Sequence, residues 1–237
     1  RAVARFALEC GARQVVIAND LAPEQSRSFT FNANQVLEFG SNPMMVDLDL
    51  FHTRFSNRII PDFDANPNQI IYENLDGFAI TRGVSLALNQ NFGETPFAYT
   101  LGFTLQDVFL EDAGVQEDEF FAADYQGVWS ASYTFGGRVT ADYTGNLIGP
   151  MRLPEFDAPF RRPTRNDPYT VHNLQATVAD DGGFDLYLGV KNLFDFTQGS
   201  PLVDAANPFG ESFDTSYVWG PILGRQIVFG MRIAGGR

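Results

Sequence analysis

The sequence predicts an all-β fold, an antiparallel transmembrane β-barrel built as an up-and-down meander of about nine strands. Three observations carry that prediction. Large apolar residues alternate with small or polar ones at period two. The connections between alternating segments are short and long in strict turn. No run approaches the eighteen or so consecutive apolar residues of a membrane helix, whereas a barrel strand needs only alternation.

The clearest alternation runs over residues 78–92. Phe78, Ile80, Val84, Leu86, Leu88 and Phe92 share one face, and Ala79, Thr81, Gly83, Ser85, Ala87, Asn89 and Asn91 the other. Phe97, Tyr99, Leu101, Phe103 and Leu105 then alternate with Ala98, Thr100, Gly102, Thr104 and Gln106. Upstream, Phe29, Phe31, Ala33 and Leu37 define one strand, and Met44, Val46, Leu48 and Leu50 the next. Downstream come Val139, Ala141, Tyr143 and Leu147, then Phe184, Leu186, Leu188 and Val190, and finally Ile227, Phe229, Met231 and Ile233. Residues 125–135 and 169–178 alternate less cleanly and complete the set.

Residues 40–43, 93–96, 136–137 and 180–183 are short and rich in turn formers. Between them lie the long segments 61–76, 111–124, 149–168 and 196–223. A soluble sandwich gives no reason for that order. An outer-membrane barrel does, because its periplasmic turns are short and its extracellular loops long. The polar face is also distinctive, holding Asn, Thr, Ser, Gly, Gln and Asp in place of the Lys and Glu that usually meet bulk water. That composition suits a crowded, hydrated lumen.

Composition narrows the function. The 237 residues carry a formal net charge of −13, which repels nucleic-acid phosphates. Cys10 is the one cysteine, so neither an internal disulfide nor a zinc site is expected. His52 and His172 have no metal-ligand spacing partner and read as structural. No hydrolase, metalloprotease or phosphate-cradling motif occurs, so no enzyme activity and no cofactor are expected. Asp47 and Asp49 share a strand face and read as lumen lining. Asp62, Asp64, Asn66, Asn68 and Glu73 repeat the oxygen spacing of a calcium loop, but Pro67 stands where the sharp turn needs glycine. They form a weak metal candidate. The acidic residues Glu111, Asp112, Glu117, Asp118 and Glu119 read as a solvated loop face, with divalent bridging of lipopolysaccharide as one use.

Several motifs resemble the barrel strands of TonB-dependent outer-membrane receptors. Pro23-Glu24-Gln25-Ser26 looks like that family's strand start. Asn74-Leu75-Asp76-Gly77 followed by Thr81-Arg82-Gly83-Val84 looks like another, with Ser85 where Glu is usual. Asn192-Leu193-Phe194-Asp195 matches the family's penultimate-strand motif, and Gly220-Pro221 with Gly224-Arg225 resembles the start of its last strand. These residues read as structural. Asn and Asp can bond their own backbone at a strand end, Leu193 and Phe194 can anchor at the interface, and Arg225 can snorkel.

The resemblance implies the C-terminal part of such a barrel over residues 23–237, with 1–22 a loop or partial strand of the upstream barrel and no plug domain. Arg1 stands where a complete chain has Met, so an upstream part is expected. The family's terminal aromatic is replaced by Ile233-Ala234-Gly235-Gly236-Arg237. The implied function is the wall of a receptor for energised uptake of an iron chelate, cobalamin or glycan. The implied partners are outer-membrane lipid and lipopolysaccharide, a plug and TonB through the upstream part, the barrel-assembly machinery and a small-molecule ligand. The alternatives are a passive or structural outer-membrane barrel and a soluble secreted carbohydrate-binding β-sandwich.

Overall fold

The computed structural model describes residues 14–62, 69–179, 183–210 and 212–233. Among these residues all regular structure is β. In chain order the strands are β1 (Gln14–Ile17), β2 (Gln25–Phe39), β3 (Asn42–Ser56), β4 (Ile59–Asp62), β5 (Gln69–Asn74), β6 (Gly77–Phe92) and β7 (Phe97–Asp112). They continue with β8 (Val115–Asp118), β9 (Tyr125–Phe135), β10 (Val139–Ile148), β11 (Tyr169–Ala179), β12 (Phe184–Lys191) and β13 (Gln226–Ile233).

Nine of these strands form one antiparallel meander in the order β13-β12-β11-β10-β9-β7-β6-β3-β2. They are the nine that the alternation marks out. A single meander is a barrel wall and not the two packed sheets of the sandwich alternative. Four short strands were not legible. β8 pairs with the top of β7, and β1-β5-β4 make a separate small sheet in which β1 runs parallel to β5. Each of β1, β4 and β8 has four residues, too few for a period-two pattern to stand out.

Strands β2 and β3 have 15 residues, and β6 and β7 have 16. At about 3.3 Å per residue and a tilt near 40°, such strands rise roughly 38–40 Å against an apolar band of about 25 Å. Their upper ends therefore stand above the membrane and carry the loops.

The two faces differ as the period requires. Leu48, Leu86 and Phe103 lie side by side across β3, β6 and β7, and Leu188 lies opposite Phe229 across β12 and β13. This face is exposed in a way that water would penalise: Phe29 is 72% and Phe229 86% accessible. Hydrocarbon is the medium that removes the penalty. On the other face polar groups satisfy one another. Asn32 donates to Asp49 at 2.5 Å and Asn34 to Asp47, while Thr100 donates to Asn89 at 2.8 Å and Thr104 to Ser85 at 3.0 Å.

Aromatic rings mark both edges of the lipid face. Phe92 stacks on Phe97 at 5.6 Å and Tyr133 lies 4.5 Å from Phe135 near the short turns. Toward the long loops, Trp129 and Phe194 lie 5.1 and 4.7 Å from His172. The Trp129 indole lies across Gly145, where a Cβ would come within 2.3 Å of the ring. Gly136 and Gly137 both have positive φ, as a tight β9–β10 hairpin demands.

Candidate functional site

The long connections are folded structures gathered at the extracellular mouth. The β4–β5 hairpin is held on the lumen side by Leu75, Ala79 and Leu110, all buried, with Phe55 and Ile60 packed against them. A cavity of about 420 Å³ opens between this hairpin, the top of β7 and the segment after β8. Phe120 and Phe121 supply rings to it, and Asp62, Glu73, Asp112, Glu117 and Glu119 supply carboxylates. Such a site offers stacking planes and hydrogen-bond acceptors, the tools of ligand recognition.

Arginines organise the acidic rim. Arg152 bonds Glu117 at 2.8 Å and lies over the Phe120 ring at 4.1 Å. Arg165 bridges Asp118 at 2.5 Å and Asp124 at 2.6 Å. Arg58 pairs with Glu119, whose carboxyl burial pushes above its ordinary range while Arg58 pulls it back. The acidic run is therefore not the uniformly solvated face that the sequence suggested. Glu117, Asp118 and Glu119 each have an arginine partner from another segment.

Loops 149–168 and 192–225 share a small core of Met151, Leu153, Phe156, Val203 and Tyr217. Buried amides tie these loops. Gln198, 4% accessible, donates to Tyr217 O at 2.8 Å and accepts from Trp219 N at 2.8 Å and Gly220 N at 3.0 Å. Asn166 accepts from Met151 N at 2.8 Å and donates to Asp167 O at 2.9 Å. Arg162 donates to Leu202 O at 2.7 Å and lies over the Tyr217 ring, whose hydroxyl donates to Pro163 O at 2.7 Å. Sequence reasoning missed Asn166, Gln198 and Arg162. A polar side chain in a long loop carries no signal that it will be buried.

The motif residues fall at the same level. Asn192 is buried at a left-handed φ of 52°. Its side chain accepts from Phe196 N at 2.9 Å and donates to Phe196 O at 2.7 Å and Leu223 O at 3.3 Å. Asp195 accepts from Arg225 N at 2.6 Å, and Arg225 Nε donates to Leu193 O at 3.0 Å. Phe194 is exposed against His172 on the lipid face. Pro221 O accepts from Gln198 N at 2.8 Å. Glu24, after the exposed Pro23, accepts from Ile59 N at 2.8 Å. Asn74 donates to Ala22 O at 3.0 Å and Asn57 O at 2.6 Å.

Of the calcium-loop candidates, Asp62 lies opposite Ile71 and Glu73 opposite Ile60 in the β4–β5 ladder. Asp64, Asn66 and Asn68 lie outside the described residues. Among the described residues no cluster of three potential metal ligands occurs.

The TonB dependent receptor-like β-barrel family matches residues 4–193. The chain belongs to this family. Its place is therefore the bacterial outer membrane, with the lipid face and the mouth oriented as described. This receptor chain is similar in fold to the ferric-catecholate import receptor Fiu of Escherichia coli K12, at a TM-score of 0.64 and 16% identity. That likeness covers 91% of this chain and 28% of Fiu. The ferripyoverdine receptor of Pseudomonas aeruginosa gives a TM-score of 0.63 at 16% identity, covering 90% and 27%. The FrpB iron transporter of Neisseria meningitidis gives 0.61 at 13%, covering 92% and 32%. The chain thus spans about a third or less of these solved receptors. A comparison with curated protein sequences finds no match.

Proposed function

We propose that this chain is the C-terminal part of the barrel wall of a TonB-energised receptor that captures a scarce nutrient at its extracellular mouth. The observation that carries the proposal is the family match over residues 4–193, joined to a mouth whose loops are folded around a ring- and carboxylate-lined cavity. A passive pore does not need loops with their own cores and buried amide ties. On this reading the polar lumen face, with Asn89, Thr100 and Ser130 along one hollow of about 450 Å³, lies against a plug from the upstream part of the protein. TonB acts through that plug, and the assembly machinery inserts the strands. Residues 23–237 are the barrel portion, and residues 14–17 a mouth strand on β5. The similar receptors named for ferric chelates make an iron chelate the first ligand to try, ahead of cobalamin or a glycan. The activity is import and not catalysis.

The test is uptake of radiolabelled ferric chelates by iron-starved cells carrying the full-length receptor, with and without TonB. Uptake that needs TonB and falls on Phe120→Ala/Phe121→Ala supports the proposal. Uptake indifferent to TonB points to the passive barrel.

A further inference from the structure

We infer that Arg27 and Arg54 form a docking site for the phosphate of an outer-leaflet glycolipid, on the lipid face of the barrel at the extracellular rim. The inference rests on the outer-membrane reading and deepens its lipid partnership.

Most of the outer face is apolar, and among the described residues its charged side chains are confined to its top. Arg27 lies directly opposite Arg54 across β2 and β3, and both are exposed. One row below and one strand along, His52 lies opposite Arg82, and Arg82 opposite Asp107. Arg82 is answered by Asp107, which accepts from its Nε at 2.9 Å and its Nη2 at 2.7 Å. Among the described residues Arg27 and Arg54 have no such carboxylate bridge. The remaining groups on the upper outer face of β2 and β3 are Gln25, Phe29, His52 and Ser56, none of them a carboxylate. Glu24, just before β2, accepts from Ile59 N, and Glu111 lies opposite Phe78 on β7. Like charges directly opposite each other destabilise a sheet. An anion lying between them would remove that repulsion.

Height identifies the anion. From Met44 to Arg54 is ten residues along β3, roughly 33 Å of strand and about 25 Å along the membrane normal. Met44 is level with the lower apolar rows, so Arg54 comes out at the outer headgroups. A guanidinium there is matched by phosphate, which it binds through a planar fork of N–H donors. The Arg54 guanidinium is already held 3.7 Å over the Phe78 ring, and Phe78 packs edge-on against Phe109 at 6.5 Å. The rings restrain the head while leaving its edge free. A lipid phosphate is the occupant because the site opens sideways into the bilayer and not up toward water.

The experiment uses the full-length receptor in phosphatidylcholine nanodiscs doped with bisphosphorylated lipid A, or with the same lipid stripped of both phosphates. Native mass spectrometry reads the lipid retained after detergent extraction. The receptor should retain the phosphorylated form and not the stripped form. The Arg27→Gln/Arg54→Gln variant should retain roughly tenfold less, as loss of charge-assisted hydrogen bonds implies. Equal retention by the variant, or of the stripped lipid, overturns the site. So does complete displacement by inorganic phosphate at equimolar amounts, which would mean a free-phosphate site. Should the variant fail to fold, the two lipids on the unsubstituted receptor still decide. Ferric-chelate uptake, measured in parallel, stands or falls separately from lipid retention.

Discussion

The Asp195 carboxylate accepts a hydrogen bond from the Arg225 backbone N–H at 2.6 Å, fastening the two ends of the β12–β13 loop to each other across thirty residues of chain. Gly224 makes the approach feasible, since a Cβ there would lie 2.4 Å from Asp195 Oδ1. Asp195→Ala and Gly224→Ala should therefore have the same effect. Each should destabilise the loop by about 1–2 kcal/mol, the cost of a lost charge-assisted bond partly replaced by water. Limited proteolysis between residues 196 and 223 should speed up in both, and the double variant should be no worse than either single. Additive effects would show that the two residues act apart.

Leu86 lies on the lipid face between Leu48 and Phe103. Leu86→Arg should cost roughly 2–4 kcal/mol of barrel stability near the midplane. Asn89→Arg, three residues on but facing the lumen, should cost much less. Folding titrations of the full-length receptor in lipid vesicles compare the two. Equal costs would mean that the faces are assigned the wrong way round.

The wall was legible in the sequence because alternation over eight to sixteen residues repeats its message many times. One polar residue on the apolar face, such as Gln90, matters little when Leu86, Leu88 and Phe92 agree. The mouth was not legible. There the structure depends on single residues, such as Gln198 reaching Tyr217, Trp219 and Gly220, and no periodicity announces them. The motif asparagines were visible only through family resemblance. Their geometry supplies the physical reason: Asn74 and Asn192 each bond backbone on two separate segments. Glu119 looked like one more solvated acid because its neighbour Arg58 is 61 residues away.

Sidedness follows from the loop lengths. In a Cys10→Ser background, Glu117→Cys in β8 should react with an impermeant thiol reagent on intact cells. Ser41→Cys, in the β2–β3 turn, should react only once the outer membrane is opened. The converse labelling would invert the barrel.

Glu119 should give the mouth a pH dependence. Burial raises its pKa above the ordinary value of 4.5, and the Arg58 charge opposes that shift without cancelling it. A carboxyl whose folded pKa is raised favours the folded loop while protonated. That contribution is fully present below the ordinary pKa and is lost as pH rises through the raised one. The stability of residues 119–124 should therefore fall as pH climbs from about 4.5, in the sense opposite to an ordinary salt-bridged acid. Hydrogen exchange of that segment, corrected for the intrinsic pH dependence of exchange, reads it directly. Glu119→Gln should flatten the profile, because a neutral amide has no ionisation to resist. Arg58→Gln should move the fall to higher pH, because it removes the charge that pulls the carboxyl down. A profile unchanged by Glu119→Gln would overturn the assignment of the fall to this carboxyl.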